Sequence, residues 1–467
     1  MLAVFLATLI VGNQFIPPEK SVERHMLGHD FTAFYSAGHF AAIGQFDKLY
    51  DIQAIKDFEQ ETGRRSGLSL GDSYGPYWNP PFYAWIFVPL SKLSYSRALL
   101  FWTLINAACG IAALVLLIRL LPERTPWQTR ALVPFLVVTS MPVLQALSHG
   151  QNTMTSLLLL TGTVTFWRKN SPTRAGLIAG LLFYKPQLAA IVALALIATL
   201  GWRALVGLAI TGSILLLLTI RTMPGTLTAF FTLLPANLRF MQIDHPYVWE
   251  RHATVKAFWR LLFQGRGAGE ALPIVTILTG ICVLALAVCL LIAIRRQLQI
   301  SNLKSQIPRD SLIAATIATM PLLMPFYFDY DLMLLAIPAV LYAGQIVRSA
   351  SADGIVLERE FSVLPELPSA KADPTKSDRW LNCAWIALYL WTLINPGIAG
   401  VTRVNLTVPL LSLVASLLIL RALRERPTTA PTYRPSLTIP PCRPATGPCA
   451  ETFSAPTQPA PLACSVG

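Results

Sequence analysis

The sequence predicts an all-α protein that crosses a membrane many times. Hydrophobic residues fill 54% of the 467 positions and charged residues only 13%, about half the charged share of an ordinary soluble domain. Apolar runs such as 98–118 and 271–294 are long enough to cross about 30 Å of hydrocarbon at about 1.5 Å per residue. Both observations exclude a soluble globular chain.

Along the chain, residues 1–16 read as a retained first span, because no basic segment precedes the apolar run and no small-residue cleavage site follows it. Further crossings are expected at 98–118, 131–147, 152–167, 204–220, 271–294, 310–326, 331–347, 380–397 and 404–420, about ten full spans in all. Residues 175–200 are apolar but interrupted by Lys185-Pro186. Proline removes a backbone donor and lysine is costly at mid-bilayer, so a broken pair of half-helices meeting at Lys185 is expected. The first outer loop, 17–97, is expected to carry amphipathic juxtamembrane helices. In it Phe31, Phe34, Tyr35 and Gly38 recur at helical spacing after Asp30, and Phe82, Tyr83, Trp85 and Phe87 follow Asn79-Pro80-Pro81 as a surface anchor. A second outer loop covers 221–270. Residues 1–423 thus make one transmembrane domain. Residues 424–467, with 10 of the 35 prolines and little apolar periodicity, read as a disordered cytoplasmic tail.

The net charge of +13 does not point to nucleic acid, since no basic stripe is interleaved with aromatics. With the first loop outside, the inside loops collect 19 of the 37 basic residues, while the outer stretches 17–79 and 221–270 balance 12 basic against 12 acidic residues. This orientation also brings Asp30, Tyr77-Trp78-Asn79, His149-Gly150-Gln151-Asn152, Lys185-Pro186-Gln187, Arg251-His252 and Asp329-Tyr330-Asp331 to one outer face. The seven cysteines form no CxxC pair, so neither a disulfide framework nor a zinc site is implied.

Each motif has two readings. Asp30 is a helix cap or an exposed carboxylate at the membrane surface, and Asp51 favours the cap. Asn79 belongs to an aromatic anchor or lines a sugar site. Lys185 faces a cavity that holds a charged ligand, or snorkels to the headgroups. His149 and Gln151 gain weight only from the face they share. Asp329-Tyr330-Asp331 spells D-x-D, but no Gly-rich nucleotide-binding turn surrounds it. One of its aspartates is expected to meet substrate or an arginine, and no metal is assigned. Of Arg251, His252, Lys256 and Arg260, at least one is expected to hold a phosphate.

Taken together, Asp30-Phe31 with Phe34-Tyr35-Ser36-Ala37-Gly38, Gly44, Leu49-Tyr50-Asp51, Asn79-Pro80-Pro81-Phe82 with Pro89-Leu90, Gly150-Gln151-Asn152, Ala175-Gly176-Leu177 and Gly180 with Lys185-Pro186-Gln187 resemble glycosyltransferase family 87. That family belongs to the GT-C class of polytopic enzymes that take sugars from polyprenyl phosphates. The resemblance runs from about Asp30 to Leu200. It implies a GT-C-like fold and a hexosyl- or mannosyl-type transferase in the cell (inner or plasma) membrane, working on its extracytoplasmic side without a cofactor. Its partners would be a lipid-linked sugar donor, a glycan or glycolipid acceptor and the bilayer. The position of Asp30 matches the aspartate that serves this class as general base, in an inverting displacement. Lys185 and Arg251 are then expected at the donor phosphate, and Tyr35, Asn79, His149, Gln151 and Asp331 at the substrate. This chain departs from many GT-C enzymes in having His29-Asp30 where they show an acidic pair, and aspartates at 329 and 331 where relatives often carry histidine. A transporter or flippase of a lipid-linked sugar is the main competing class, and it calls for functional polar groups at mid-membrane instead of at one face.

Overall fold

The computed structural model describes residues 28–66, 74–301, 309–360, 375–395 and 397–424. The expected first span at 1–16 and the tail beyond Arg424 lie outside the described residues. No strand forms among the described residues; the one isolated extended pairing is an antiparallel bridge between His252 and Phe328. The helices are α1 (Phe31–Ala42), α2 (Ile52–Ser66), α3 (Tyr95–Leu120), α4 (Trp127–Val138), α5 (Met141–Ser148), α6 (Thr153–Arg168), α7 (Pro172–Gly180), α8 (Pro186–Leu200), α9 (Trp202–Thr222), α10 (Thr226–Arg239), α11 (Val255–Gln264), α12 (Pro273–Ser301), α13 (Asp310–Leu323), α14 (Ala336–Glu360), α15 (Thr375–Thr392), α16 (Gly397–Thr402) and α17 (Thr407–Arg424).

Five stretches are long and apolar enough to cross a bilayer: α3, α9, Pro273–Gln299, Asp329–Ser349 and α17. A sixth arises if α4 and α5, bent by 45°, make one span. Pro142 in the first turn of α5 cannot donate to the preceding turn, which accounts for the bend. The expected count of about ten full spans is not confirmed among the described residues, and the first of them falls outside those residues. The helices α6 and α13, of 16 and 14 residues, are shorter than these long apolar stretches. Both are packed inside the bundle, and nearly every side chain of α13 is buried, so they need not match the hydrocarbon thickness that α3 and α12 face. A helix that is apolar all round belongs in a core.

The same rule corrects the reading of the first loop. Ten of the twelve residues of α1 are buried, so it is a core helix and not an amphipathic one lying in the headgroups. Phe34 stacks on Phe87 with ring centroids 4.9 Å apart, and Phe31 stacks on Trp102 at 6.2 Å. The supposed surface anchor at Pro81–Phe87 is a 3₁₀ turn with Pro81, Tyr83, Ala84 and Phe87 buried. At the crossing, a Cβ on Gly38 would lie 2.5 Å from the Phe87 carbonyl oxygen, so only glycine lets these segments meet. The helix α2 is the amphipathic member, burying Ile55, Glu59 and Gly63. Asp51 caps it, accepting from the backbone N–H of Gln53 at 2.9 Å and of Ala54 at 3.1 Å.

The break at Lys185 is present as expected. The helix α7 passes into a 3₁₀ turn, Leu181–Tyr184, and α8 starts at Pro186. Lys185 itself has φ −119° and ψ 81°, outside the helical region, as a residue before proline prefers. Against this broken segment packs α9, through glycines on both sides. A Cβ on Gly176 would sit 2.1 Å from the Ala204 oxygen, and one on Gly207 would sit 2.2 Å from the Thr173 oxygen.

From end to end, α6 links two polar clusters. Its C-terminal Arg168 pairs with buried Asp310 at 2.7 Å and donates to the Leu120 carbonyl at 2.8 Å. Arg348 also binds Asp310, and Arg421 binds Asp378 and, at 2.9 Å, Gln345. The candidate site lies at the other end.

Replacing Gly176 with leucine is expected to force α7 and α9 apart and lower stability by about 1–3 kcal/mol, the usual cost of overpacking. A thermal melt of the detergent-purified protein measures this, and an unchanged melting point would show that the crossing tolerates a side chain.

Candidate functional site

Two glycine turns set the position of Asp30. Gly28 and Gly150 have φ of +72° and +68°, the left-handed region that favours glycine. Gly28 donates its N–H to the Ser148 carbonyl at 2.6 Å, and Asp30 and Phe31 donate theirs to the His149 carbonyl at 3.0 and 3.1 Å. The hydroxyl of Tyr95 donates to the Gly28 carbonyl and the indole of Trp102 to that of Gly150, each at 2.7 Å. A Cβ on Gly150 would lie 2.7 Å from the Cβ of Phe31. The turn before α1 and the turn between α5 and α6 are therefore interlocked.

Asp30 occupies the cap position of α1, yet its side chain makes no capping hydrogen bond. Instead its Oδ2 accepts from Gln151 Nε2 at 2.7 Å, and its Oδ1 lies 3.7 Å from His29 Nδ1. The side chain is 28% exposed, so a hydroxyl can reach it. Burial opposes the charged form, but the His29 ring, the Gln151 amide and the Arg251 guanidinium outweigh it and hold the carboxyl well below the usual range.

Two ion pairs are tied to the stretch from His149 to Thr153. Arg251 meets Asp329 through both Nε and Nη2, each at 3.1 Å. Its Nη1 points at His149 Nε2, 3.2 Å away. A guanidinium only donates, so Nε2 accepts, and Nδ1 donates to the Gln145 carbonyl at 2.8 Å. Lys185 Nζ meets Asp331 Oδ1 at 2.7 Å, and the Thr153 hydroxyl donates to the same oxygen at 2.9 Å. An ammonium has three N–H groups, and Asp331 takes one. Between the pairs lies Tyr330, whose ring is 6.0 Å from Lys185 Nζ and 5.1 Å from the stacked ring of Phe328. The bridge between His252 and Phe328, with Ala253 N–H donating to the Tyr327 carbonyl at 2.9 Å, sets Arg251 opposite Asp329. His252 itself is buried against Tyr247, 2.9 Å away, and burial pushes its pKa down to about 3.

Asp30, His149, Gln151, Lys185, Arg251 and Asp331 thus come together, as do Asp329 and the unforeseen Gln145 and Thr153. Gln145 Nε2 donates to Asp329 Oδ2 at 3.1 Å, but a glutamine inside an apolar helix carries no sequence signal that distinguishes it. Two expected residues are elsewhere. Tyr35 is buried in the aromatic core and donates its hydroxyl to the Leu93 carbonyl at 2.7 Å. Asn79 is buried and donates to the Tyr184 carbonyl at 2.8 Å. It buttresses the break beside Lys185 and does not face the cluster. Lys256 lies over the Trp249 ring, and Arg260 binds the carbonyls of Gly267, Gly269 and Glu270, so Arg251 is the loop cation that reaches the site. Among the described residues no group of three His, Cys, Asp or Glu side chains is placed to hold a metal ion. The cluster offers one accessible carboxylate beside two restrained cations, an arrangement suited to taking a proton at one point while steadying an anion nearby.

The sequence profile of glycosyltransferase family 87 matches residues 77–325, more than half of the chain. No curated protein and no solved structure matches it. A transporter reading finds no support in the match.

The Arg251–Asp329 pair is largely buried, so removing one partner strands a charge, at a cost of about 3–5 kcal/mol. Asp329→Ala is expected to lower the melting point strongly, and Arg251→Met with Asp329→Leu to recover most of the loss. Equal melting points for single and double variants would show that the pair does not hold the loop.

Proposed function

The chain belongs to glycosyltransferase family 87, a membrane glycosyltransferase, and from that premise we propose that it moves a hexosyl group, of the mannosyl type, from a polyprenyl phosphate to an envelope glycan or glycolipid. Asp30 takes the proton of the acceptor hydroxyl. The oxygen attacks the anomeric carbon from the side opposite the phosphate, the bond from that carbon to the phosphate oxygen breaks, and the configuration inverts. Lys185 and Arg251 steady the charge on the departing polyprenyl phosphate, which competes with Asp331 and Asp329 for their N–H groups. Gln151 and His149 orient the base and the guanidinium.

The observation that carries this reading is that Asp30 leaves its capping role unfilled and that one short stretch binds all three groups: His149 meets Arg251 and takes the Asp30 N–H, Gln151 donates to the Asp30 carboxylate, and Thr153 donates to the Asp331 that holds Lys185. A lipid-linked donor is supported by an apolar groove of about 470 Å³ between α4, α14 and α15, lined by Leu136, Ser140, Val340 and Tyr389 among others. Leu332 and Met333 of its lining follow Asp331 directly in the chain, so a polyprenyl chain passing these two residues would bring its phosphate near the cations. An extracytoplasmic site in the cell membrane is supported by the far end of α6, about 24 Å away at 1.5 Å per residue, where Arg130, Arg168, Arg348 and Arg421 gather. Basic residues mark the cytoplasmic side.

Asp30→Asn is expected to lower sugar transfer about 10²–10⁴-fold while leaving binding of the lipid donor intact, measured with labelled polyprenyl-phosphate hexose in membrane vesicles. Wild-type transfer by this variant would remove Asp30 as the base. Filling the groove with Val340→Trp is expected to raise KM for a long-chain donor about tenfold and to spare a short-chain one. Equal effects on both donors would show that the groove does not hold the chain.

A further inference from the structure

The reaction scheme leaves Glu59 unused, although this acid is only 1% exposed. It lies midway along α2 and turns inward against the start of α1. Its Oε2 accepts the N–H of Gly75 at 2.8 Å, and its Oε1 is buried without a hydrogen-bond partner. Among the described residues no cation pairs with it. The Thr32 hydroxyl lies against the carboxyl and donates to the His29 carbonyl at 2.7 Å. Gly75 leans on the same turn, since a Cβ there would be 3.5 Å from the Ala33 Cβ, 3.6 Å from the His29 oxygen and 3.7 Å from Thr32 Oγ1. Glu59, Gly75 and the stretch His29–Thr32 therefore form one contact, and Asp30 is inside that stretch.

We propose that Glu59 is a positioning residue for Asp30 that works as the uncharged acid, clamping the segment that starts at Tyr74 onto the turn that presents the base. This rests on Asp30 acting as the base. A bare carboxylate with one oxygen unsatisfied is costly in such a place, whereas a neutral acid has one proton to share and fits a site without cations. Burial is the main influence on its titration; the bond from Gly75 and the nearby Thr32 hydroxyl offset it only in part and the Asp30 charge adds to it, raising the pKa to about 8. The groups that face it are Asp30 from the turn, Tyr74 from the following segment and Tyr95 from α3. On α2 itself Lys56 is turned to the Tyr74 ring, 5.7 Å away. Since the folded pKa lies above the ordinary 4.5 of an unfolded glutamate, the clamp contributes fully below that value and fades as pH rises through about 8. Ionisation would also set a second negative charge beside Asp30.

The test compares the full-length wild type, Glu59→Gln and Glu59→Ala, each as the sole copy in membrane vesicles given labelled polyprenyl-phosphate hexose, and as purified protein in thermal melts from pH 6 to 9. Wild-type kcat should fall about tenfold between pH 7 and pH 9, as expected for a group that must stay protonated with a pKa near 8, and the melting point should fall with it. Glu59→Gln should keep wild-type transfer at pH 7 and lose both alkaline declines. Glu59→Ala should transfer about tenfold less at pH 7, or fail to fold, in which case the glutamine variant decides. The proposal is overturned if Glu59→Gln is as impaired as Glu59→Ala at pH 7, if Glu59→Ala transfers like the wild type, or if Glu59→Gln keeps the alkaline decline in melting point. An active Asp30→Asn would sink the reading of the base instead, while the melting behaviour of Glu59→Gln would still report on the clamp.

Discussion

The interlock of the turns around Gly28 and Gly150 is the constraint on which the rest of the site depends. Backbone N–H groups of residues 28, 30 and 31 are spent on the carbonyls of Ser148 and His149, so the start of α1 cannot rotate independently of the α5–α6 junction. Both turns need backbone conformations that other residues rarely adopt, and the space over Gly150 is already filled by Phe31. With the main chain held in this way, Asp30 makes no capping hydrogen bond to its own helix, and its carboxylate turns to Gln151 with His29 beside it. Freedom lost by the backbone becomes orientation of one side chain.

The cations are restrained by a different device. One short turn, Asp329 to Asp331, supplies carboxylates to an arginine from a loop and to a lysine at a helix break. Neither cation could be held in a partly buried site alone, because desolvation would favour its neutral form or its withdrawal to water. Pairing solves that problem and keeps remaining N–H groups of Lys185 available. At the opposite end of α6 the same physics serves architecture: Asp310 takes Arg168 and Arg348 together and ties three helices. One helix thus separates a polar cluster with an accessible carboxylate from one built around tight ion pairs.

Much of this could be read from the sequence, because polar residues at the ends of apolar runs are costly unless they meet one another. That argument finds Asp30, His149, Gln151, Lys185, Arg251 and Asp331, and it finds the break at Lys185-Pro186. It fails where packing overrides periodicity. Phe31, Phe34 and Tyr35 at helical spacing suggest a half-exposed helix, yet ten of the twelve residues of α1 are buried, with Phe31 among Phe87, Trp102 and Tyr95, and the hydroxyl of Tyr35 ends at a backbone carbonyl. Apolar length alone also does not separate helices that face lipid, such as α3 and α12, from α13, which is buried almost all round. Glu59 was invisible for the opposite reason: it sits in a charged, soluble-looking stretch, and only its contact with Gly75, distant in sequence, turns it inward.

The central claim is that one pocket holds the base and both cations around a phosphate-linked sugar. Cryo-electron microscopy of the protein with a non-reacting polyprenyl-phosphate sugar tests it most directly. The account predicts phosphate density within hydrogen-bond distance of Lys185 Nζ and the Arg251 guanidinium, the lipid chain passing Leu332 and Met333, and the sugar ring between phosphate and Asp30. Phosphate density away from both cations, or a sugar that Asp30 cannot approach, would contradict it.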